Sequence, residues 1–453
     1  VDEIGALITK EGGKPMVESL SADMFPVMDL ATYFAKNAEK ILRREKIWLG
    51  KWSLIGRSSY LEYLPVGVVG IISPWNYPFS IPCGQVMMAL MAGNTVILKP
   101  SEFTPLIGLK IQEVFEAVGL PKNVLQVIPG DGSTGAALVH SGVNKIVFTG
   151  SVATGKRIME AAAKTLTPVV LELGGKDPMI ILEDADLDVA SSAAVWGAFS
   201  NSGQTCSSVE RVYVQENIAE AFLKLCVEKT KKLRQGEPQS GEVEIGSMSS
   251  EMQLSKVEKQ VEAAKREGAR VLVGGGRTGQ RGFFYQPTIL TQVNHQMEVM
   301  REETFGPVFG AMTFKEDDEA IRLANDCHYG LTASIWTKDI QRGTNLAQKI
   351  EAGTIMINEN VYSFALPQTP WGGPKESGIG RTHGKLGFLE MVEAKHVHIN
   401  RVARIKDFWW YGYDKAKFSM MLNLSNVLFS RGILTKIKSG LRFLWRVLTL
   451  KNI

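Results

Sequence analysis

Two side chains thirty-four residues apart, a cysteine and a glutamate, have the types and setting for covalent chemistry in this 453-residue sequence. Cys206 ends the small-residue loop Phe199-Ser-Asn-Ser-Gly203-Gln204-Thr205-Cys206, which follows a helix-like run, and Glu172 lies in Leu171-Glu172-Leu173-Gly174-Gly175-Lys176. The thiolate is the reactive form of cysteine and only a few per cent of an ordinary thiol is ionised at neutral pH, so a nucleophilic Cys206 requires an electropositive, partly open setting. A Gly-rich turn permits one. An unaccompanied cysteine is ordinarily a small buried hydrophobe, and Glu172 read alone is a strand-end carboxylate paired with Lys176.

Other segments could serve the same chemistry. Asn76 stands in Ser73-Pro74-Trp75-Asn76-Tyr77-Pro78, a turn-forming context, 96 residues before Glu172 and 130 before Cys206. Phe148-Thr149-Gly150-Ser151-Val-Ala-Thr-Gly155 follows a strand-like run and opens a helix-like one. Backbone N–H groups at such a helix start can approach a pyrophosphate, although a lone G-x4-G is a weak signal. Lys99-Pro100-Ser101-Glu102 follows another strand end, where the plain reading is a solvated helix start. Glu302-Glu303-Thr304-Phe305-Gly306-Pro307 and the block Pro370-Trp371-Gly372-Gly373-Pro374-Lys375-Glu376-Ser377-Gly378 read unaided as Gly/Pro loops.

Taken together, and in this order, these segments resemble the signatures of the NAD(P)-dependent aldehyde dehydrogenase superfamily, from about residue 1 to about residue 400. The resemblance implies that Cys206 attacks an aldehyde and that the Asn76 amide and the Cys206 backbone N–H hold the oxyanion. Glu172 would activate the water that hydrolyses the thioester. Its presence implies a free acid as product, since acylating relatives that use coenzyme A generally lack this base. The implied cofactor is NAD, with NADP admitted. Lys99 and Ser101 would meet the adenosine ribose, and Glu102 would accept from a free 2′-hydroxyl and repel a 2′-phosphate, favouring NAD. Ser73 and Trp75, the turn of Gly150, Ser151 and Gly155, and the pair Leu173 and Gly174 complete the expected cofactor contacts. Glu303 would hold the nicotinamide ribose and Phe305 would lie against the ring.

The substrate pocket implied by the resemblance includes Tyr77, Ser80, Ile81, Gly84, Trp196, Ser200, Thr205, Ala365 and Trp371. Gly84 and Ala365 stand where relatives often carry bulky aromatics, which leads to the expectation of a roomy apolar tunnel for hydrophobic medium- or long-chain or aromatic aldehydes. The alternative is a semialdehyde or amino-aldehyde dehydrogenase. No arginine stands among these positions, which disfavours succinic semialdehyde. A catalytically idle, structural or membrane-docked homologue is the reading from a different class; the presence of Cys206, Glu172 and Asn76 together argues against it.

Positioning such residues requires an α/β framework. From Leu64 to Glu172, apolar β-branched runs (Gly67–Ile72, Thr95–Lys99, Val124–Ile128, Lys145–Thr149, Pro168–Leu173) alternate with helical periods (Pro105–Val118, Thr134–His140, Thr154–Lys164). Continuous apolar strands with helical crossovers predict a parallel, Rossmann-like sheet covered on both faces. A second series follows Gly174: helices over Asp186–Phe199, Ala219–Leu233 and Met252–Glu267, and strands over Arg211–Gln215, Phe309–Phe314, Thr332–Trp336 and Thr354–Asn358. The expected fold is therefore aldehyde dehydrogenase-like, with a dinucleotide-binding domain (1–42 and 66–173) and a second α/β catalytic domain (174–389). By resemblance, residues 43–65 and 390–403 form a small oligomerisation hairpin and closing strand, which implies a homodimer or tetramer.

Length and 45% apolar content allow more than one core. Four dispersed cysteines without C-x-x-C spacing indicate a reducing, cytoplasmic setting rather than a disulfide framework. The six histidines include no H-E-x-x-H, and His396 and His398 alternate on a strand-like run, so no metal is expected. No charged-then-apolar leader is visible; the missing Met leads to the expectation that about fifty family residues precede this start.

Net charge is +4, yet residues 401–453 hold eleven Lys or Arg against two Asp, leaving the body mildly acidic and disfavouring nucleic acid as partner. After about residue 403 the chain departs from the family pattern. It runs Asp407-Phe-Trp-Trp-Tyr411 and then places Ile433, Leu434, Ile437, Leu441, Leu444 and Leu448 at helical spacing, with Lys436, Lys438, Arg442 and Arg446 between them. The extension 404–453 is read as a basic amphipathic helix, of the kind that lies in a membrane interface, here through 415–450, or packs on the protein's own surface or a subunit partner.

Overall fold

The computed structural model describes residues 1–449 apart from 280, 404, 405 and 408. Residues 404, 405, 408 and 450–453 of the expected C-terminal extension lie outside the described residues.

Residues 1–43 and 63–393 form one compact unit that contains two sheets. The first runs, in spatial order, Gly378–Ile379, Val169–Glu172, Lys145–Thr149, Val68–Ile72, Thr95–Lys99 and Leu125–Val127, and is parallel except for the two-residue edge strand. Strand direction and order follow from the apolar runs. Ile146 and Val147 are both fully buried but join different core clusters, one on each face of the sheet. The chain order reverses between Val68–Ile72 and Lys145–Thr149, and ligands of open α/β sheets bind outside the carboxyl ends at such a point.

The second sheet runs Arg270–Val273, Thr288–Thr291, Val308–Phe314, Val209–Gln215, Asp177–Ile181, Thr332–Trp336 and Thr354–Ile357, with only the first pair antiparallel. Asp186 caps the helix Leu187–Phe199 by accepting from the N–H groups of Asp188 and Val189, as N-terminal carboxylates do. Ser151 likewise caps Val152–Ala163, so this helix starts two residues before the expected Thr154.

Two segments escape the periodicity rules for one reason. The helix Ser80–Met91 is buried from Ser80 to Ala89, and the strand Asp177–Ile181 is buried throughout. An element enclosed on all sides shows no polar face and hence no amphipathic period.

The N-terminal helices reach into this unit. Asp23 accepts from the N–H groups of Phe79 and Ser80, at the start of the buried helix, and pairs through its other oxygen with Lys14 at 2.7 Å; both side chains are buried. Removing one member of a buried ion pair costs about 3–5 kcal/mol. Asp23→Ala is therefore expected to lower the apparent melting temperature by several degrees. Lys14→Met/Asp23→Asn, which keeps an acceptor for both N–H groups and strands no charge, recovers part of it in the same thermal scan. A melting temperature unchanged in Asp23→Ala contradicts this assignment.

The second unit comprises residues 44–62 and 394–453. A three-stranded sheet of Glu45–Ile47, Arg57–Pro65 and Val392–Asn400 has its His398 ring bonded to Ser59 Oγ at 2.8 Å. In the C-terminal extension, Lys415–Phe429 and Ile433–Thr449 are two helices packed on each other, where a single helix was expected.

Candidate functional site

A cavity of about 660 Å³ opens at the carboxyl end of the first sheet. Its walls come from the residues that follow successive strands: Ser73, Trp75 and Asn76 after Val68–Ile72; Lys99, Ser101 and Glu102 after Thr95–Lys99; Gly150 and Ser151 after Lys145–Thr149. Glu172, Leu173 and Gly174 close it beside Cys206, Glu303 and Phe305. Every expected cofactor residue lines this space except Gly155, where a Cβ would meet Leu173 Cδ2 at 2.7 Å; its role is to let the helix lie close on the strand. Lys99 Nζ holds Glu102 at 3.0 Å, and Trp75 sits edge-on to Phe305 at 5.4 Å. Volume, a capped helix start and carboxylates at two separated points fit an elongated dinucleotide with two ribose groups.

The Cys206 loop is held from several directions. Asn201, Ser202 and Gly203 all have positive φ, and a Cβ on Gly203 would lie 2.0 Å from the Gly306 carbonyl oxygen. Only glycine fits there. The partly buried Glu18 carboxylate accepts from Asn201 N at 3.0 Å and Ser200 Oγ at 3.0 Å. Asn201 Nδ2 donates to the Asn76 carbonyl at 2.9 Å, Lys14 Nζ donates to the same oxygen at 2.6 Å, and Asn76 Nδ2 donates to the Gln204 carbonyl at 3.0 Å. Asn76 Nδ2 keeps a second hydrogen, facing the cavity that Cys206 also lines.

Glu172 has different company from that expected of a strand-end carboxylate. Lys176 pairs with Glu210 and donates to Thr304 Oγ1, while Glu210 accepts from the N–H groups of Thr304 and Phe305 and so fixes the Glu303–Phe305 segment. Both oxygens of Glu172 are buried without a hydrogen-bond partner among the described residues. Burial holds this carboxyl well above the ordinary 4.5, with Arg381 opposing. Gly372 makes room, since a Cβ there would approach Glu172 Oε1 to 3.0 Å.

The setting of Cys206 corrects the expectation of an electropositive site. Burial raises its thiol pKa first, and the carboxylates of Asp177, Glu303 and Glu172 raise it further. Glu303 is itself pushed up to about 7, by burial and then by Glu210. The residues around the sulfur thus favour the neutral thiol, and positive charge must come from elsewhere.

Behind Cys206 and Glu172 is a second space of about 20 Å³, enough for one water molecule, lined also by Ile81, Gln85, Phe364, Trp371 and His383. Gln85 Nε2 donates to Thr149 Oγ1, leaving Gln85 Oε1 and His383 Nδ1 without protein partners, and burial lowers the His383 pKa to about 4.

Of the expected substrate residues, Ile81 and Trp371 line this space. Tyr77 and Thr205 bond to each other at 2.7 Å, and neither they nor the buried Ser80 are among the lining residues. Trp196 and Ser200 line a separate groove with Glu18, and Trp196 is half exposed. The expected roominess is corrected at Gly84, where a Cβ would meet Leu30 at 3.0 Å, so a neighbouring helix already fills that space; next to Ala365 in sequence, the ring of Phe364 packs edge-on to Trp371 at 5.3 Å.

Residues 1–397 match the model of the aldehyde dehydrogenase family. The chain belongs to that family. It is 40% identical over 418 residues to a 4,4′-diapolycopene aldehyde oxidase of a Methylomonas species, covering 92% of this chain and 78% of the relative. A peroxisomal aminoaldehyde dehydrogenase of Pisum sativum is 40% identical over 414 residues, covering 90% and 81%. Among solved structures, betaine aldehyde dehydrogenase of Staphylococcus aureus in complex with NAD+ superposes with a TM-score of 0.85 at 37% identity, covering 91% of this chain and 81% of that one.

Lys14, Glu18, Gln85, Asn201, Glu210, Phe364 and His383 are absent from the motif-based reading. Asn201 lies inside the Cys206 motif, but nothing in its type marks its role, and the others are single polar or aromatic residues that carry no pattern by which to find them. The carboxylate-rich setting generates a direct expectation: iodoacetamide alkylation of Cys206 at pH 7, followed by mass spectrometry, is at least about tenfold slower than that of glutathione. At pH 8, above the Glu303 value, Glu303→Gln removes a negative charge and accelerates it. Fast alkylation of the unmodified sequence at pH 6 contradicts the assignment.

Proposed function

We propose that the protein oxidises an aldehyde to the free carboxylic acid with NAD, through a thioester on Cys206. The observation that carries this reading is the shared cavity wall of Cys206, Asn76 and the unpartnered Glu172 beside the dinucleotide-sized space. The Cys206 thiol gives its proton to solvent in the cavity as its sulfur bonds to the aldehyde carbon. Asn76 Nδ2 and the Cys206 N–H hold the oxyanion, worth about 10²- to 10³-fold in rate per donor. NAD, held by the residues that line the large cavity, would accept the hydride from that carbon and supply the positive charge that the residues around the thiol lack. Glu172 then deprotonates a water that attacks the thioester; the carbon–sulfur bond breaks and the acid and thiol are released. The balance is aldehyde, water and NAD+ to acid, NADH and protons. Lys99, Ser101 and Glu102 bind the adenosine ribose and favour NAD over NADP. Glu303 binds the second ribose and Phe305 the ring. Residues 1–42 with 66–173 serve as the cofactor domain and 174–389 as the catalytic domain, with 43–65 and 390–403 joining subunits of a dimer or tetramer.

The substrate class favoured is an aldehyde with an amino or quaternary ammonium group. Its support is the aminoaldehyde and betaine aldehyde dehydrogenases among the relatives and Glu303, whose carboxyl, pushed up to about 7, is ionised above that pH and bears on the thiol. A second reading, a hydrophobic aldehyde, has the carotenoid-aldehyde relative and the apolar Ile81, Met88, Phe364 and Trp371 in its favour.

NADH formation separates these readings. Betaine aldehyde or an aminoaldehyde is expected to exceed decanal in kcat/KM by about tenfold, the range one well-placed contact can give. The reverse order selects the hydrophobic reading, and no turnover beyond that of Cys206→Ala for any aldehyde overturns the proposal. Because Glu172 must be ionised to act and its pKa is raised, kcat falls on the acid side with a midpoint well above 4.5. Glu172→Gln lowers kcat by about 10²- to 10⁴-fold and removes that limb.

A further inference from the structure

The helix Ile433–Thr449 turns one face to its neighbour and a different face outward. It packs on Lys415–Phe429 through small residues: Ser439 is buried, and a Cβ on Gly440 would meet Val427 at 3.7 Å. Apart from the partly buried Phe443, its large apolar residues do not take part in that burial. Ile433, Leu434, Ile437, Leu441, Leu444 and Leu448 fall on one arc of the helix, each more than half exposed, with Leu434 at 74% and Leu448 at 81%. Lys436 and Lys438 lie at the two edges of that arc and Arg442 and Arg446 on the far side of the helix, and none of the four makes an ion pair among the described residues. Phe418, Leu422 and Phe429 of the first helix, and Trp410, Tyr411 and Tyr413 before it, are exposed as well.

We propose that this helical pair docks the protein, in the plane of the interface, on a bilayer containing anionic lipid. At 17 residues the second helix is about 26 Å long, shorter than the about 30 Å hydrocarbon core. No described helix is long and apolar enough to cross a membrane. An apolar arc flanked by unpaired basic residues is the arrangement that lies at a headgroup boundary, and exposed Trp and Tyr occupy that level. The charge selects lipid over a second copy of the chain. A two-fold interface apposes a face with itself, and residues 401–453 offer only Asp407 and Asp414 against eleven Lys or Arg. Asp407 is paired with Arg57, and Asp414 caps the first tail helix through Lys417 N. Neither is free to neutralise a partner's basic residues, whereas lipid phosphates are.

The test is flotation of the full chain with vesicles of phosphatidylcholine alone or mixed with phosphatidylserine, alongside L441E/L444E/L448E and K436Q/K438Q/R442Q/R446Q. None of the seven positions belongs to the proposed active site, and the readout does not require turnover, so its result is separate from that of the dehydrogenase reading. Circular dichroism and mass by light scattering establish that the variants fold and assemble as the parent does. The parent is expected to float at least about tenfold more with the anionic vesicles, with the apolar triple variant remaining in the dense fraction and the charge variant losing its preference for phosphatidylserine. A parent that stays in the dense fraction with both vesicles, or a triple variant that floats as the parent does, overturns the proposal. A triple variant of lower assembly mass also overturns it and makes the face a subunit contact.

Discussion

A buried carboxylate with no hydrogen-bond partner is costly, and Glu172 is one. Its backbone cannot drift away. Its carbonyl accepts from Gly150 N, and Leu173 N donates to the Ser377 carbonyl, so the residue is locked between a parallel neighbour and a short antiparallel edge strand. The cation nearest in sequence, Lys176, is committed to Glu210. The fold thus keeps a base available by denying it a structural partner, and the raised pKa of Glu172 follows from that arrangement.

The same economy shapes the opposite wall. Asn76 and Cys206 lie on loops from different sheets, and neither loop has a regular partner. An amide network joins them: Asn201 and Lys14 on the Asn76 carbonyl, Asn76 on the Gln204 carbonyl, Gln204 on that of Asn201. Two N-terminal residues, Lys14 in the turn after the first helix and Glu18 at the end of the next, anchor this network from outside both sheets. The site is therefore assembled by long-range polar contacts on a rigid apolar frame, which limits what motion near the thiol can occur without breaking several bonds at once.

The parallel, Rossmann-like sheet was legible because it rests on repeated signals. Apolar runs alternate with helical periods, and the cofactor residues of the first sheet cluster at strand ends, where the topology must bring them together. Lys99 and Gly150 are far apart in sequence and share a wall for that reason alone. What was not legible depends on three-dimensional neighbours without sequence pattern. The emptiness inferred at Gly84 assumed that nothing else would fill the space, and Leu30 does. The electropositive setting inferred for Cys206 assumed that the chain supplies it, whereas three carboxylates surround the sulfur. The helix Ser80–Met91 was hidden by its own complete burial. The basic apolar tail is visible in sequence, but only the structure shows that its large apolar residues, apart from Phe443, are left outside the helix–helix contact.

The central claim is that one sulfur is acylated and that Glu172 is needed to free it. The most direct measurement is acid quenching of Glu172→Gln after mixing with aldehyde and NAD, with peptide mass spectrometry beside NADH absorbance. The account predicts NADH equal to the enzyme present and the acyl group on the peptide containing Cys206. Continued NADH release at the rate of the unmodified protein, or NADH formed with no adduct on Cys206, contradicts it.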